Sequence, residues 1–176
     1  RLIHISADYV FGNGGTRPFV ETDLPAPLNV YGASKLAGEH FIAAECDDYA
    51  IVRTAALYGD APCRAKQGRS FIGLMLHLAT TRREVRVVTD EITTPTHTDA
   101  LAEQIRVIAE RGAPGVYHAT CQGGCSWYDF AKIIFEEAGT EVALLKATSG
   151  DFPSTVKRPR YSILQNKYLQ DQGLDV

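Results

Sequence analysis

Tyr31 and Lys35 stand four residues apart in Tyr31-Gly-Ala-Ser-Lys35, and Leu36-Ala-Gly-Glu39 follows at once. The apolar residues Leu36, Phe41 and Ile42 make this stretch read as a helix. Residues four apart share a helix face, so a phenol and an ammonium converge there on one bound molecule. Free tyrosine titrates at about 10 and free lysine at about 10.4, so neither alone handles protons well at neutral pH. A cation roughly 5 Å away at an effective dielectric of about 20 contributes about 3 kcal/mol, or about two pKa units off the tyrosine. That makes the phenol a usable acid or base toward a carbonyl or hydroxyl. The bare spacing also fits an aromatic at a helix start beside a solvated lysine, so the surrounding elements must decide.

Those elements alternate. Leu2-Ile-His-Ile5 reads as a buried strand opening into Ser6-Ala-Asp-Tyr-Val-Phe-Gly12, and residues 8–29, rich in Gly, Pro, Asn and Asp, read as a loop over one face. A helix from about Val30 to Cys46 and a strand Ala50–Thr54 follow. Then come a helix over Ser70–Ala79 and a strand Val85–Thr89. Asp99 is the expected N-cap of a helix carrying Leu101, Ile105 and Ile108, with Gly112 as its stop. Gly115–Ala119 reads as a strand, and Ser126-Trp-Tyr-Asp129 as a capping box opening the helix Phe130–Ala138. A strand Val142–Lys146 and a last short helix, capped by Asn166 and ended by Gly173, complete the chain. Strands alternating with helices predict an α/β fold with a mainly parallel sheet.

The 176 residues suffice for a real core, and the formal net charge of −3 gives no footprint for nucleic acid or an anionic membrane. No apolar run approaches a transmembrane length and no signal peptide is visible. Cys46, Cys63, Cys121 and Cys125 are few and irregularly spaced, which suits a reducing cytoplasm. His118, Cys121 and Cys125 lack a fourth ligand, so no metal site is expected and the thiols read as small, partly buried residues. The glycines of Gly12-Asn-Gly-Gly15 and Gly123-Gly124 do not join a buried strand to a helix, as a dinucleotide-binding turn must. The chain is therefore expected to be the C-terminal portion of a longer enzyme whose glycine-rich half is absent.

In their order, Ser6–Phe11, Glu21–Val30 with Tyr31 and Lys35, Arg53–Gly59, Thr94-Pro-Thr96 and Arg158-Pro-Arg-Tyr-Ser-Ile-Leu164 resemble the extended short-chain dehydrogenase/reductases. Within that group they look most like the dTDP-4-dehydrorhamnose reductases. The resemblance implies a Rossmann-like doubly wound parallel sheet with a small interleaved substrate-binding lobe, Arg53–Gly59 and Ile92–Thr98 being crossings between the two. It implies NADPH or NADH as cofactor and a nucleotide-linked 4-keto-6-deoxysugar as substrate. Tyr31 would then give the proton, Lys35 would hold the nicotinamide ribose, and Arg53 would join them at the cofactor. Ala7, Asp8, Ala56 and Arg158 (or Arg160) would line the substrate. Asp8 also fits a turn cap, and either arginine a solvated or structural role. The oligomeric state stays open, a homodimer among the options.

Two positions depart from the family pattern. Ala7 stands where the family carries a threonine or serine beside the reacting oxygen, and losing such a donor costs about 3 kcal/mol, some hundredfold in rate. Ser6 is an uncertain substitute, because successive strand residues face opposite ways. Ala56 stands where the family carries a tryptophan, which removes flat apolar area for a sugar or base to stack on. The same Tyr and Lys serve sugar-nucleotide epimerases and dehydratases. A non-catalytic regulatory subunit, like the beta subunit of methionine adenosyltransferase, is the alternative of a different class.

Overall fold

The computed structural model of the chain describes residues 1–12, 14–60 and 69–176. Cys63 lies outside the described residues. Strand β1 (Leu2–Ala7) runs into a 3-10 turn at Asp8–Val10, and helix α1 (Val30–Glu45) follows the long loop. Asn29 starts α1 by accepting the Gly32 amide on its side-chain oxygen at 2.9 Å. Strand β2 (Tyr49–Thr54) pairs in parallel with β1, Ala7 opposite Thr54, and also with β7 (Gly115–His118).

Alternation along these strands divides their side chains between two faces. Ala50, Val52, Tyr117 and Ala119, with Ile3 and Ile5 beside them, pack against Leu101, Val107 and Ile108 of α3 (Thr98–Arg111) and Leu169 of α5 (Lys167–Asp171). The opposite face carries His4, Ser6, Arg53 and His118, and α1 lies over it through Lys35, Gly38 and Glu39. Helices on both faces of a parallel sheet are the doubly wound arrangement expected.

The second core belongs to the lobe. Strands β4 (Glu84–Val88) and β9 (Ala143–Ala147) pair in parallel beneath α2 (Phe71–Thr81) and α4 (Trp127–Glu137), around Met75, Val85, Val87, Phe130 and Ile134. The chain enters the lobe at α2, returns to the sheet with α3 and β7, and re-enters the lobe at α4. Sheet and lobe are thus interleaved. The crossings hold short strands that the sequence does not announce: β3 (Leu57–Tyr58) pairs with β6 (Thr96–His97), and β5 (Ile92–Thr93) with β8 (Cys125–Ser126).

Two caps differ from expectation. His97, not Asp99, is the N-cap of α3, its Nδ1 accepting the Asp99 amide at 3.2 Å, because Asp99 already lies within the first turn. Asn166 does precede α5, but its side chain bonds Thr120 and Asp175 instead of the helix end. The capping box of Ser126 and Asp129 is formed as expected, with the helix starting at Trp127.

Leu169 is fully buried in the sheet core against α3 and β7. Leu169→Ala is therefore expected to cost about 2–5 kcal/mol of stability by urea denaturation. A loss near zero would show that α5 contributes nothing to this core.

Candidate active site

The residues singled out in the sequence converge where β1 and β2 end, and open parallel sheets bind ligands at the carboxyl ends of their strands. Ala7 is the last residue of β1, and the chain turns at once through Asp8–Val10 onto the N-terminal turn of α1. Gly32 makes this approach possible, since a Cβ there would stand 2.1 Å from the Tyr9 carbonyl oxygen. The ring of Tyr31 meets that of Tyr9 edge-on with centroids 5.8 Å apart, and Tyr31 remains 51% exposed. One turn on, Lys35 Nζ donates to the Ile5 carbonyl at 3.0 Å, leaving two of its three N–H groups for a ligand.

Asp8 lies buried beside this pair and shares a side-chain hydrogen bond with Ser162, which brings the Arg158–Leu164 stretch onto the site. Burial pushes its carboxyl up to about 7. Tyr9 is pushed up to about 12 by burial and then by the Asp8 charge, while Arg158 pulls the other way. Arg158, itself exposed, is thus a cation whose charge acts on both Tyr9 and Glu91. Glu91 is buried, bonded to the Trp127 side chain, and raised above the usual carboxylate range by that burial. Nothing in the sequence points to Glu91, because its neighbours Tyr9, Trp127 and Arg158 come from three distant stretches of chain.

The Tyr31 phenol is raised, first by burial and then by the Asp8 charge. This is opposite to the lowering that the Tyr31–Lys35 spacing suggests, and the ammonium is anchored on the Ile5 carbonyl. Two further residues find partners away from the strand ends. Arg53 is buried beneath α1, not presented at the strand ends: its Nη2 and Nε donate to the Glu39 carboxylate at 2.6 and 2.9 Å, and the guanidinium lies 5.1 Å over the Phe11 ring. Ser6 does not substitute for a hydroxyl at position 7, because its Oγ donates to Glu39 Oε1 at 2.5 Å on the α1 side of the sheet. Ala56 sits just beyond the end of β2 in the left-handed region, at φ 44°, which is rare for a residue with a Cβ and is found where function holds the backbone.

The loop and the C-terminal stretch are tied together behind the site. The Phe19 amide donates to the Ile163 carbonyl at 2.8 Å, and the Phe19 carbonyl accepts the Gln165 amide at the same distance. His118 Nδ1 lies 3.1 Å from the Phe19 carbonyl and 3.2 Å from that of Gln165, so it carries the proton there. Burial and the Arg53 charge push the His118 pKa down to about 3. His118 is therefore a neutral structural hub. Among the described residues no cluster of metal ligands forms, and Cys121 and Cys125 are free thiols.

Asp8 and His118 act oppositely on stability as pH changes. Asp8 holds its proton in the fold up to about 7 but releases it near 3.8 when unfolded, so its contribution is full below 3.8 and is lost as pH rises through about 7. His118 stays neutral in the fold down to about 3 but protonates near 6.5 when unfolded, so its contribution is present above 6.5 and lost as pH falls. Asp8→Asn removes the first alone. Its stability relative to the parent is expected to rise between about pH 4 and about pH 7, by at most about 4 kcal/mol, in urea denaturation at several pH values. A difference constant across that range would mean that Asp8 is already ionised there.

The chain is similar to several known proteins along its whole length. The family described as the RmlD substrate binding domain matches residues 1–176. The spore coat polysaccharide biosynthesis protein SpsK of Bacillus subtilis is 41% identical over 174 residues, covering 99% of this chain and 59% of that protein. The dTDP-4-dehydrorhamnose reductase of Escherichia coli is 38% identical over 180 residues, covering 96% of this chain and 58% of its own. The crystal structure of dTDP-4-dehydrorhamnose reductase from Bacillus anthracis in complex with NADP superimposes with a TM-score of 0.90 at 40% identity, over 98% of this chain and 59% of that one. The chain thus spans about three fifths of the length of the relatives it matches. With a doubly wound sheet, an interleaved lobe and a Tyr–Lys helix at the strand ends, the chain belongs to the RmlD substrate binding domain family.

Proposed function

We propose that these residues form the substrate-side portion of an NAD(P)H-dependent reductase acting on a nucleotide-linked 4-keto-6-deoxysugar. Tyr31 is the proton donor and Lys35 the cation that holds the cofactor ribose. The observation that carries this reading is the Tyr31–Lys35 pair at the end of β1, with the phenol half-exposed and the ammonium anchored at 3.0 Å with donors to spare. Those free donors suit a ribose diol, so the residues present fit a nicotinamide cofactor. When bound, the reduced nicotinamide supplies hydride to the carbonyl carbon. Tyr31 gives its proton to the carbonyl oxygen as charge develops there, and its raised pKa keeps that proton in place at neutral pH until it is needed. Arg158 faces the substrate's diphosphate, for which a guanidinium offers paired donors. Asp8 and Ala56 line the sugar. We assign the cofactor's pyrophosphate to a glycine-rich turn outside residues 1–176, and the whole to a single reductase unit.

The relatives named as dTDP-4-dehydrorhamnose reductases, and the one bound to NADP, support this reading over an epimerase or a regulatory subunit. In a full-length enzyme carrying these residues, Tyr31→Phe is expected to lower turnover at least about a hundredfold with little change in NADPH affinity. Lys35→Met is expected to harm both. Near-normal turnover in Tyr31→Phe with a dTDP-4-keto-6-deoxysugar would remove Tyr31 as donor.

Ala7 tests the same reading from the other side. A threonine there would set a hydroxyl beside the oxygen that Tyr31 protonates, where Ser6 cannot serve because it is bonded to Glu39. Ala7→Thr is expected to raise turnover by up to about a hundredfold with the KM for the keto-sugar little changed. An unchanged rate, together with a silent Tyr31→Phe, would favour a partner-binding role.

A further inference from the structure

We propose that Glu39 is the positioning residue for the Tyr31–Lys35 pair: its buried bonds to Ser6 and Arg53 fix where α1 sits along β1, and so where the phenol and ammonium stand. The proposal rests on the reductase reading above. Tyr31, Lys35 and Glu39 follow at four-residue intervals, which sets them in one row on the inner face of α1. Two of the three members attach to adjacent residues of β1. Lys35 Nζ bonds the Ile5 carbonyl at 3.0 Å, and Glu39 Oε1 accepts from Ser6 Oγ at 2.5 Å. From β2, directly opposite Ser6, Arg53 closes the carboxylate from the other side with bonds of 2.6, 2.9 and 3.2 Å.

The close approach of Gly32 to the Tyr9 carbonyl and the Asn29 cap hold the start of α1, and beyond Lys35 the Glu39 carboxylate is the buried polar anchor of the helix. In α1 the buried residues are Gly32 and Glu39, and the first has no side chain. Leu36 adds a partly buried contact to Val10, Phe11 and Leu164. Apolar contact of that kind is non-directional and tolerates sliding. A charged hydrogen-bond pair, both side chains 5% exposed, does not slide, because any displacement leaves a buried charge unpaired. Arg53 Nη1 has no hydrogen-bond partner, so Glu39 is also the group that orients the guanidinium.

Two variants of the full-length enzyme separate positioning from stability. Glu39→Asp keeps both charges but shortens the arm by one methylene, so the carboxylate reaches Ser6 and Arg53 only if α1 shifts. A misplacement of about 1 Å costs up to about a hundredfold in rate. We expect kcat to fall at least about tenfold and NADPH affinity, read by fluorescence titration through the Lys35 arm, to weaken several-fold. The thermal midpoint and the KM for the keto-sugar should change little. The double variant Glu39→Met, Arg53→Met replaces the pair by apolar side chains, an exchange often neutral or stabilising. It should fold and lose more kcat than Glu39→Asp. A folded variant with parental kcat and NADPH affinity would overturn the proposal, and so would loss of folding in both, which would make the pair a stability device. A parent enzyme without turnover on any keto-sugar would sink the reductase reading instead, while the NADPH affinities would still decide the positioning role.

Discussion

The sheet of this chain has one dry face and one polar face, and the polar face lies under the helix that carries the Tyr31–Lys35 pair. Toward α3 and α5 the strands present Ile3, Ile5, Ala50, Val52 and Tyr117. Toward α1 they present His4, Ser6, Arg53 and His118, three of which leave a buried nitrogen without a hydrogen-bond partner. Burying such groups is costly unless they are paired, and the Glu39 carboxylate supplies that pairing for Ser6 and Arg53. Everything at the strand ends inherits its position from that pairing, because α1 carries Tyr31, Lys35 and Glu39 on one rigid row.

A second consequence concerns the loop between Val10 and Asn29. It is long and irregular, yet it is tied down at both edges. Phe19 exchanges backbone bonds with Ile163 and Gln165, and Glu21 accepts the amides of His118 and Tyr168. Asn29 caps α1 with its oxygen while its amide nitrogen donates to the Lys157 carbonyl. The loop and the Arg158–Leu164 stretch thus form one wall. Asp8 touches that wall through Ser162, which places a group titrating at about 7 between the wall and Tyr31.

That placement alters the electrostatics of the site. The spacing of Tyr31 and Lys35 suggested a phenol made more acidic by its neighbour. The fold places a carboxyl and a partly dry environment around the phenol and holds the ammonium on a backbone carbonyl. For the proposed donor role this is workable, since a phenol that keeps its proton at neutral pH is loaded when a carbonyl needs it. The cost is a weaker acid, which makes any second donor to the reacting oxygen more valuable and the alanine at position 7 more consequential.

Much of this was legible in the residues themselves. Period and punctuation mark α1, α2, α3, α4, the parallel strands and the capping box of Ser126, because each of these is a local pattern of apolar spacing and end signals. The Tyr31–Lys35 pair was legible for the same reason, as two positions on one helix face. What the sequence could not determine is which partner a polar group finds across the fold. Arg53 read as a cofactor contact and Ser6 as a doubtful stand-in for a hydroxyl at position 7, and both meet Glu39, which lies 14 and 33 residues away along the chain. Asp99 has the side chain of a cap, yet α3 starts two residues earlier, straight after the pairing of β3 with β6, and the cap falls to His97. Sequence fixes local geometry through periodicity and backbone preference; the choice among buried polar partners is made by tertiary packing, which alone decides which groups are removed from water together.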